Sequence, residues 1–154
     1  MARRLRYCTP SLGDGIFDGS SYLAAGGRFG IGTDSNIGID AAAELRQLEY
    51  AQRLARRERN VMALQEGEST GRRLMASALA GGARADIVLL DADHPDLAAR
   101  RGDQWLDAWI FVAGRAAVAT VLAGGERVVE AGRRRLRPQI EARYRAVVAR
   151  IAAA

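Results

Sequence analysis

Few side chains in this sequence can move a proton, bind a metal or attack a carbonyl, and Asp34 is the best placed of them. It follows the run GRFGIGT, in which Phe29, Ile31 and Thr33 alternate with Gly30 and Gly32. That alternation predicts a short strand over residues 29–33 whose neighbours approach closely. A carboxylate at the end of such a strand can accept a proton from water or ligate a cation. In parallel α/β barrels the C-terminal strand ends face the active-site mouth, so the position suits catalysis. The same residues, Asp34-Ser35-Asn36, also suit an Asx turn or the approach to a helix, and the local sequence fits both readings equally.

The other candidates are weaker. His94 is the sole histidine and sits in DADHPD, just after an apolar run, where it reads as a solvated turn residue. Cys8 is the sole cysteine, with no histidine near it in sequence, so a reactive thiol is not expected there. A single cysteine also excludes an internal disulfide framework and suits a reducing cytoplasm, the expected location. No P-loop, paired-cysteine motif or GxSxG element occurs. The glycines of GRFGIG precede a strand rather than join strand to helix, which does not fit a dinucleotide fingerprint.

Elements that would carry these residues follow from pattern. Residues 13–27 contain the turn-rich LGDGIF and a short helix stopped at Gly26-Gly27. Asp40 stands as N-cap of a helix reaching about Arg59, with Ala41, Leu45, Leu48, Ala51 and Ala55 as its apolar stripe. Glu49 and Arg53 make an i,i+4 pair on the other side. A second helix starts near Ser69, turns Leu74, Met75, Ala78 and Leu79 inward, and stops at Gly81-Gly82. Three β-rich runs come next: ADIVLLD as a buried strand, DAWIFV, and AVATVL joined to RVVEAG by a hairpin at Gly124-Gly125. Strands over residues 87–90, 109–112 and 118–122 are expected to form one antiparallel unit. Pro138 opens a terminal helix with Ile140, Tyr144, Val147, Val148 and Ile151 on one face.

With 49% apolar and 27% charged residues, the 154-residue chain has the balance of a folded domain. No apolar run approaches the roughly 18 residues needed to span a bilayer, and with no apolar stretch behind its basic residues MARRLRYCTPS is not expected to act as a secretory signal. The formal charge of +5 raises nucleic-acid binding. All 23 basic residues are arginine, however, and most interleave with acids, as in Arg56, Arg57, Glu58, Arg59. Only Arg133, Arg134, Arg135 and Arg137 cluster, and without interleaved aromatics they read as a solvated face. Neither a nucleic-acid nor a membrane partner is expected.

The segments LGDGIF, GGRFGIGTDSN and AAELRQLEYAQRLARRERNV, continued by STGRRLMASALAGGA, RADIVLLDADHPDLA and DQWLDAWIFVAG, resemble the formimidoylglutamate deiminases of the amidohydrolase superfamily. GTDS and RADIVLLD are shared by many amidohydrolases; LGDGIF with ELRQLEYAQRL is narrower. The resemblance covers most of residues 12–135. It implies an α/β fold, with the last strand and flanking helices of a metal-dependent (β/α)8 barrel followed by part of a small β-sandwich. The corresponding division is residues 1–83 as barrel end, 84–137 as sandwich segment and 138–154 as terminal helix. The implied reaction is hydrolysis of N-formimidoyl-L-glutamate to N-formyl-L-glutamate and ammonia, in histidine degradation. The implied role of Asp34 is that of the carboxylate ending the eighth barrel strand, which binds zinc and shuttles a proton. Ser35 and Asn36 flank it, and many relatives carry histidine where Asn36 stands.

The departures from that family are as informative. Its paired-histidine motif, its other metal histidines and its substrate-binding arginines and tyrosine have no counterparts here. RYCTPS only faintly echoes the expected end of strand seven, and a linking stretch between Ala83 and Arg84 is lacking. The comparison implies a C-terminal fragment without the N-terminal barrel half, inactive alone and retaining no zinc. A formimino amino acid is the small-molecule substrate implied for the complete enzyme, and a homo-oligomer is compatible with the sequence. Two alternatives stand beside it: another amidohydrolase-type deaminase acting on a purine or related ring, and a non-catalytic remnant serving as a binding module.

Overall fold

The computed structural model describes residues 4–6, 15–32, 38–79 and 86–153. It divides into two compact units, one of Met1–Ala83 with Ala92–Ala117, the other of Arg84–Asp91 with Val118–Ala154. The architecture is mixed α/β. No described helix is long and apolar enough to cross a membrane.

In the first unit, strands β1 (Arg4–Arg6) and β2 (Arg28–Gly30) pair in parallel, with Leu5 opposite Phe29. Parallel neighbours cannot be joined by a tight turn, and the connection carries helix α1 (Gly19–Ala24), giving a β–α–β unit. Residues 4–6 thus give β2 a parallel neighbour. The strand is also shorter than expected, ending at Gly30. The described strands do not close into a barrel.

Helix α2 (Ala41–Arg56) begins where Asp40 Oδ1 accepts the N–H groups of Ala42 (2.9 Å) and Ala43 (3.3 Å). It ends three residues before the expected Arg59 because Arg57 turns left-handed, at φ 56°. Ala42, Leu45, Leu48 and Ala51 are buried, whereas Ala41 and Ala55, expected in the stripe, are exposed. In helix α3 (Thr70–Leu79) Leu74 is fully buried but Leu79 is 60% exposed. Five residues on, Leu79 lies about 140° round the helix from Leu74, so both cannot face the core.

Residues 109–112 are not a strand. Helix α4 (Gln104–Ala108) runs into a π-helical turn (Trp109–Ala113) and a 3₁₀ turn (Gly114–Ala117). A short, uninterrupted apolar run fits a buried helix as well as a strand. Here Trp109, Ile110 and Ala113 are buried at helical spacing and Val112 is 56% exposed. This turn packs against α2, and α3 packs against β2 and α4. Phe29, Leu45, Leu48, Met62, Leu74, Leu97 and Ile110 form the core, each contributing roughly 1.5–3 kcal/mol of burial.

The second unit is a four-stranded antiparallel sheet of β3 (Ile87–Leu90), β4 (Val118–Ala123), β5 (Glu126–Glu130) and β6 (Arg133–Arg134), in that order. The expected hairpin is present: Gly124 and Gly125 both have positive φ, as a two-residue turn between twisted strands requires. Helix α5 (Arg137–Ala152) follows, with Pro138 in its first turn. The expected buried strand differs here. Ile87, Val88 and Leu89 are each about half exposed rather than buried, and the apolar residues of α5 are uncovered. No described residue of this unit is fully buried, and its strands form one sheet rather than two facing sheets.

Candidate functional site

Asp34, Ser35 and Asn36 lie outside the described residues, as does Cys8. What the structure defines is the pair of anchors on either side of Asp34. Upstream is β2, held by β1 on one edge and by Phe29, which is 2% exposed. Downstream is the Asp40 cap, which fixes where α2 starts. A parallel strand leading through a short connection into a helix is the arrangement from which barrel enzymes project catalytic groups.

Two polar groups on α2 hold this frame together. Gln52, 1% exposed, donates its amide to Phe17 O at 2.6 Å and accepts Gly19 N–H at 3.1 Å, tying the start of α1 to α2. Glu49, fully buried, accepts Val61 N–H at 3.0 Å and Met62 N–H at 2.9 Å while Arg53 Nε donates to it at 2.6 Å. The sequence foresaw the Glu49–Arg53 pair but put it on the outer side of the helix. The carboxylate instead satisfies two backbone donors of the turn after α2, which no spacing rule within one helix reveals.

At the entry to α1, Asp18 accepts Ser21 N–H at 3.2 Å and pairs with Arg56 at 2.9 Å. Hydrogen bonding from Ser21, then from Arg56, holds its carboxyl well below the usual carboxylate range. His94 sits in a surface turn as expected, but its Nδ1 accepts Asp96 N–H at 3.3 Å and caps the turn Pro95–Leu97. Among the described residues no group of three or more His, Cys, Asp or Glu side chains could hold a metal ion. The described residues therefore do not fit a catalytic zinc, which takes about three protein ligands.

No protein-family model matches the chain. Over 137 residues it is 42% identical to the formimidoylglutamate deiminase of Pseudomonas aeruginosa, covering 80% of this chain and 30% of that protein. Over 135 residues it is 34% identical to the 5-methylthioadenosine/S-adenosylhomocysteine deaminase of Desulforudis audaxviator, covering 80% and 31%. The structure superposes on a crystal structure of an amidohydrolase from Brucella melitensis with TM-score 0.82 and 42% identity, covering 93% of this chain and 34% of that one. The chain thus aligns over most of its own length with amidohydrolase-superfamily proteins, and spans about a third of theirs.

Proposed function

We propose that this chain supplies the strand-end carboxylate and its supporting helices to an amidohydrolase that deiminates N-formimidoyl-L-glutamate. The observation that carries the reading is the 42% identity to the Pseudomonas aeruginosa formimidoylglutamate deiminase across 80% of the chain. The parallel β1–α1–β2 unit leading toward Asp34 supports it, being the local architecture of a β/α barrel. In this reading water adds to the formimino carbon and the Asp34 carboxylate takes its proton. The proton then passes to the departing nitrogen, the carbon–nitrogen bond breaks, and ammonia leaves with N-formyl-L-glutamate as the other product. Zinc in the complete enzyme is part of the same proposal, with ligands other than the described residues.

A second reading, deamination of a purine-type ring, draws on the 34% identity to the Desulforudis audaxviator deaminase. One experiment separates the two. The aligned segment of each relative is replaced in turn by this chain, and ammonia release is measured from the Pseudomonas aeruginosa chimera with N-formimidoyl-L-glutamate and from the Desulforudis audaxviator chimera with 5-methylthioadenosine. Turnover of the formimino substrate is expected. In the Pseudomonas aeruginosa chimera Asp34→Asn should lower turnover by roughly 10²–10⁴-fold, the usual worth of a general acid–base group. Turnover of the nucleoside alone overturns the substrate, and tolerance of Asp34→Asn overturns the site.

A further inference from the structure

The arginines that read as a solvated face in sequence line a cleft of the fold, and Arg134 and Arg135, with Arg127, also line a second cavity. A cleft of about 550 Å³ in the second unit is lined by Arg127, Arg133, Arg134, Arg135 and Arg137, with Glu130 and Glu141. The turn between β5 and β6 has two left-handed residues, Ala131 (φ 46°) and Gly132 (φ 69°). It sets Arg133 opposite Glu130 and Arg134 opposite Val129. Two of the arginines are neutralised locally: Arg127 pairs with Glu130 at 2.7 Å and Arg137 with Glu141 at 2.6 Å. Arg133, Arg134 and Arg135 make no ion pair among the described residues. The lining also includes Arg137 and Pro138 from the first turn of α5, whose N-cap residue Leu136 provides no side-chain hydrogen bond. The positive end of a 16-residue helix therefore adds to the arginine charge. The field is felt by Glu141, whose carboxyl is held low by its hydrogen bond from Arg137 and further by the Arg137, Arg145 and Arg133 charges.

We propose that this cleft binds a small anion carrying two or more linked phosphate groups. Arg133 and Arg135 carry charge that the two lining glutamates, already paired with Arg127 and Arg137, do not neutralise, and the guanidinium fork matches phosphate oxygens in pairs. No aromatic side chain lines the cleft, so there is no platform for stacking nucleic-acid bases. The site is independent of Asp34 and of the proposed deiminase reaction.

Inorganic tripolyphosphate titrated calorimetrically into the whole chain at low salt tests the proposal. One equivalent should bind, with orthophosphate and sulfate weaker by about tenfold or more because each engages fewer arginine forks. Arg133→Ala with Arg135→Ala should weaken tripolyphosphate about tenfold or more, while Arg72→Ala, outside the cleft, leaves it unchanged. Glu141→Gln should tighten binding, since it frees Arg137 and removes a repelling carboxylate; this arm needs no loss of function and no folding control. Absence of binding overturns the proposal, as does sulfate binding as tightly as tripolyphosphate. Equal binding of a hexaglutamate peptide, or uptake of single-stranded DNA in proportion to its length, overturns it in favour of a general cationic face.

Discussion

The backbone N–H of Gly71 donates to Asp107 Oδ1 at 2.7 Å, and the two segments are too close there for a methyl group. A Cβ at position 71 would stand 2.7 Å from Asp107 N and 2.8 Å from Leu106 C, both backbone atoms that cannot rotate away. Helix propensity alone favours alanine over glycine by up to about 1 kcal/mol. The clash outweighs it, because forcing α3 from α4 costs typically 1–3 kcal/mol and weakens this hydrogen bond as well. Gly71→Ala is expected to lower stability by about 1–3 kcal/mol in urea unfolding. Stabilisation by this substitution would show that α3 and α4 do not approach as described.

Much of the first unit was legible because its signals are local. The Asp40 cap and the Leu45–Leu48 spacing each act within a few residues, and each stands where the pattern placed it, as do the glycines of the β4–β5 hairpin in the second unit. Residues 109–112 misled because an apolar run without alternation has no period to read. Their helical form is decided by α2, more than 50 residues away in sequence. Glu49 shows the same limit for a polar group: its partners at 61 and 62 are set by the return of the chain. Asp34, the one candidate site residue, follows β2 in the chain, and its placement lies outside the described residues.

Asp18 gives the acid side of stability a definite sign. Its folded-state carboxyl is held below the ordinary value of 3.8 by Ser21 and Arg56. A depressed folded-state value contributes stability that is fully present above 3.8 and is lost as pH falls through that lower value. The urea midpoint of the wild-type chain should therefore fall more steeply than that of Asp18→Asn below about pH 4. The effect is modest because the side chain is 59% exposed and screened by solvent. Parallel acid limbs for the two proteins would remove Asp18 as a contributor.

Metal retention follows from the ligand count. A protein zinc site is closed by roughly three or four side chains, and binding strength collapses when only one is present. The described residues assemble no such group, and His94 Nδ1 is engaged by Asp96 N–H. After incubation with zinc and exhaustive dialysis, elemental analysis of the chain should find far less than one equivalent. A stoichiometric ion surviving dialysis would mean that these 154 residues hold a metal site, at Asp34 or at His94 with Asp91, Asp93 and Asp96, and spectra of a cobalt-substituted sample would identify its ligands.

Glu49 ties α2 to the turn that follows it. Its carboxylate is fully buried, with one oxygen taken by Arg53 Nε and Val61 N–H and the other by Met62 N–H. Removing the side chain strands two backbone donors in the interior and leaves the partly buried Arg53 guanidinium without its anion. Breaking a buried charge pair from one side typically costs about 3–5 kcal/mol. Glu49→Ala is expected near that range, a large share of the roughly 5–15 kcal/mol that holds an ordinary domain folded. Glu49→Gln keeps the shape and one acceptor oxygen but turns an amide N–H₂ toward a backbone donor or Arg53, so about 2–3 kcal/mol is expected. Arg53→Met should cost less than either, because Glu49 keeps both backbone N–H partners and Arg53 is 30% exposed. The ordering Ala, then Gln, then Arg53→Met in urea midpoints checks the assignment; Glu49→Gln matching the wild type would show that the carboxylate's charge is not what holds the turn.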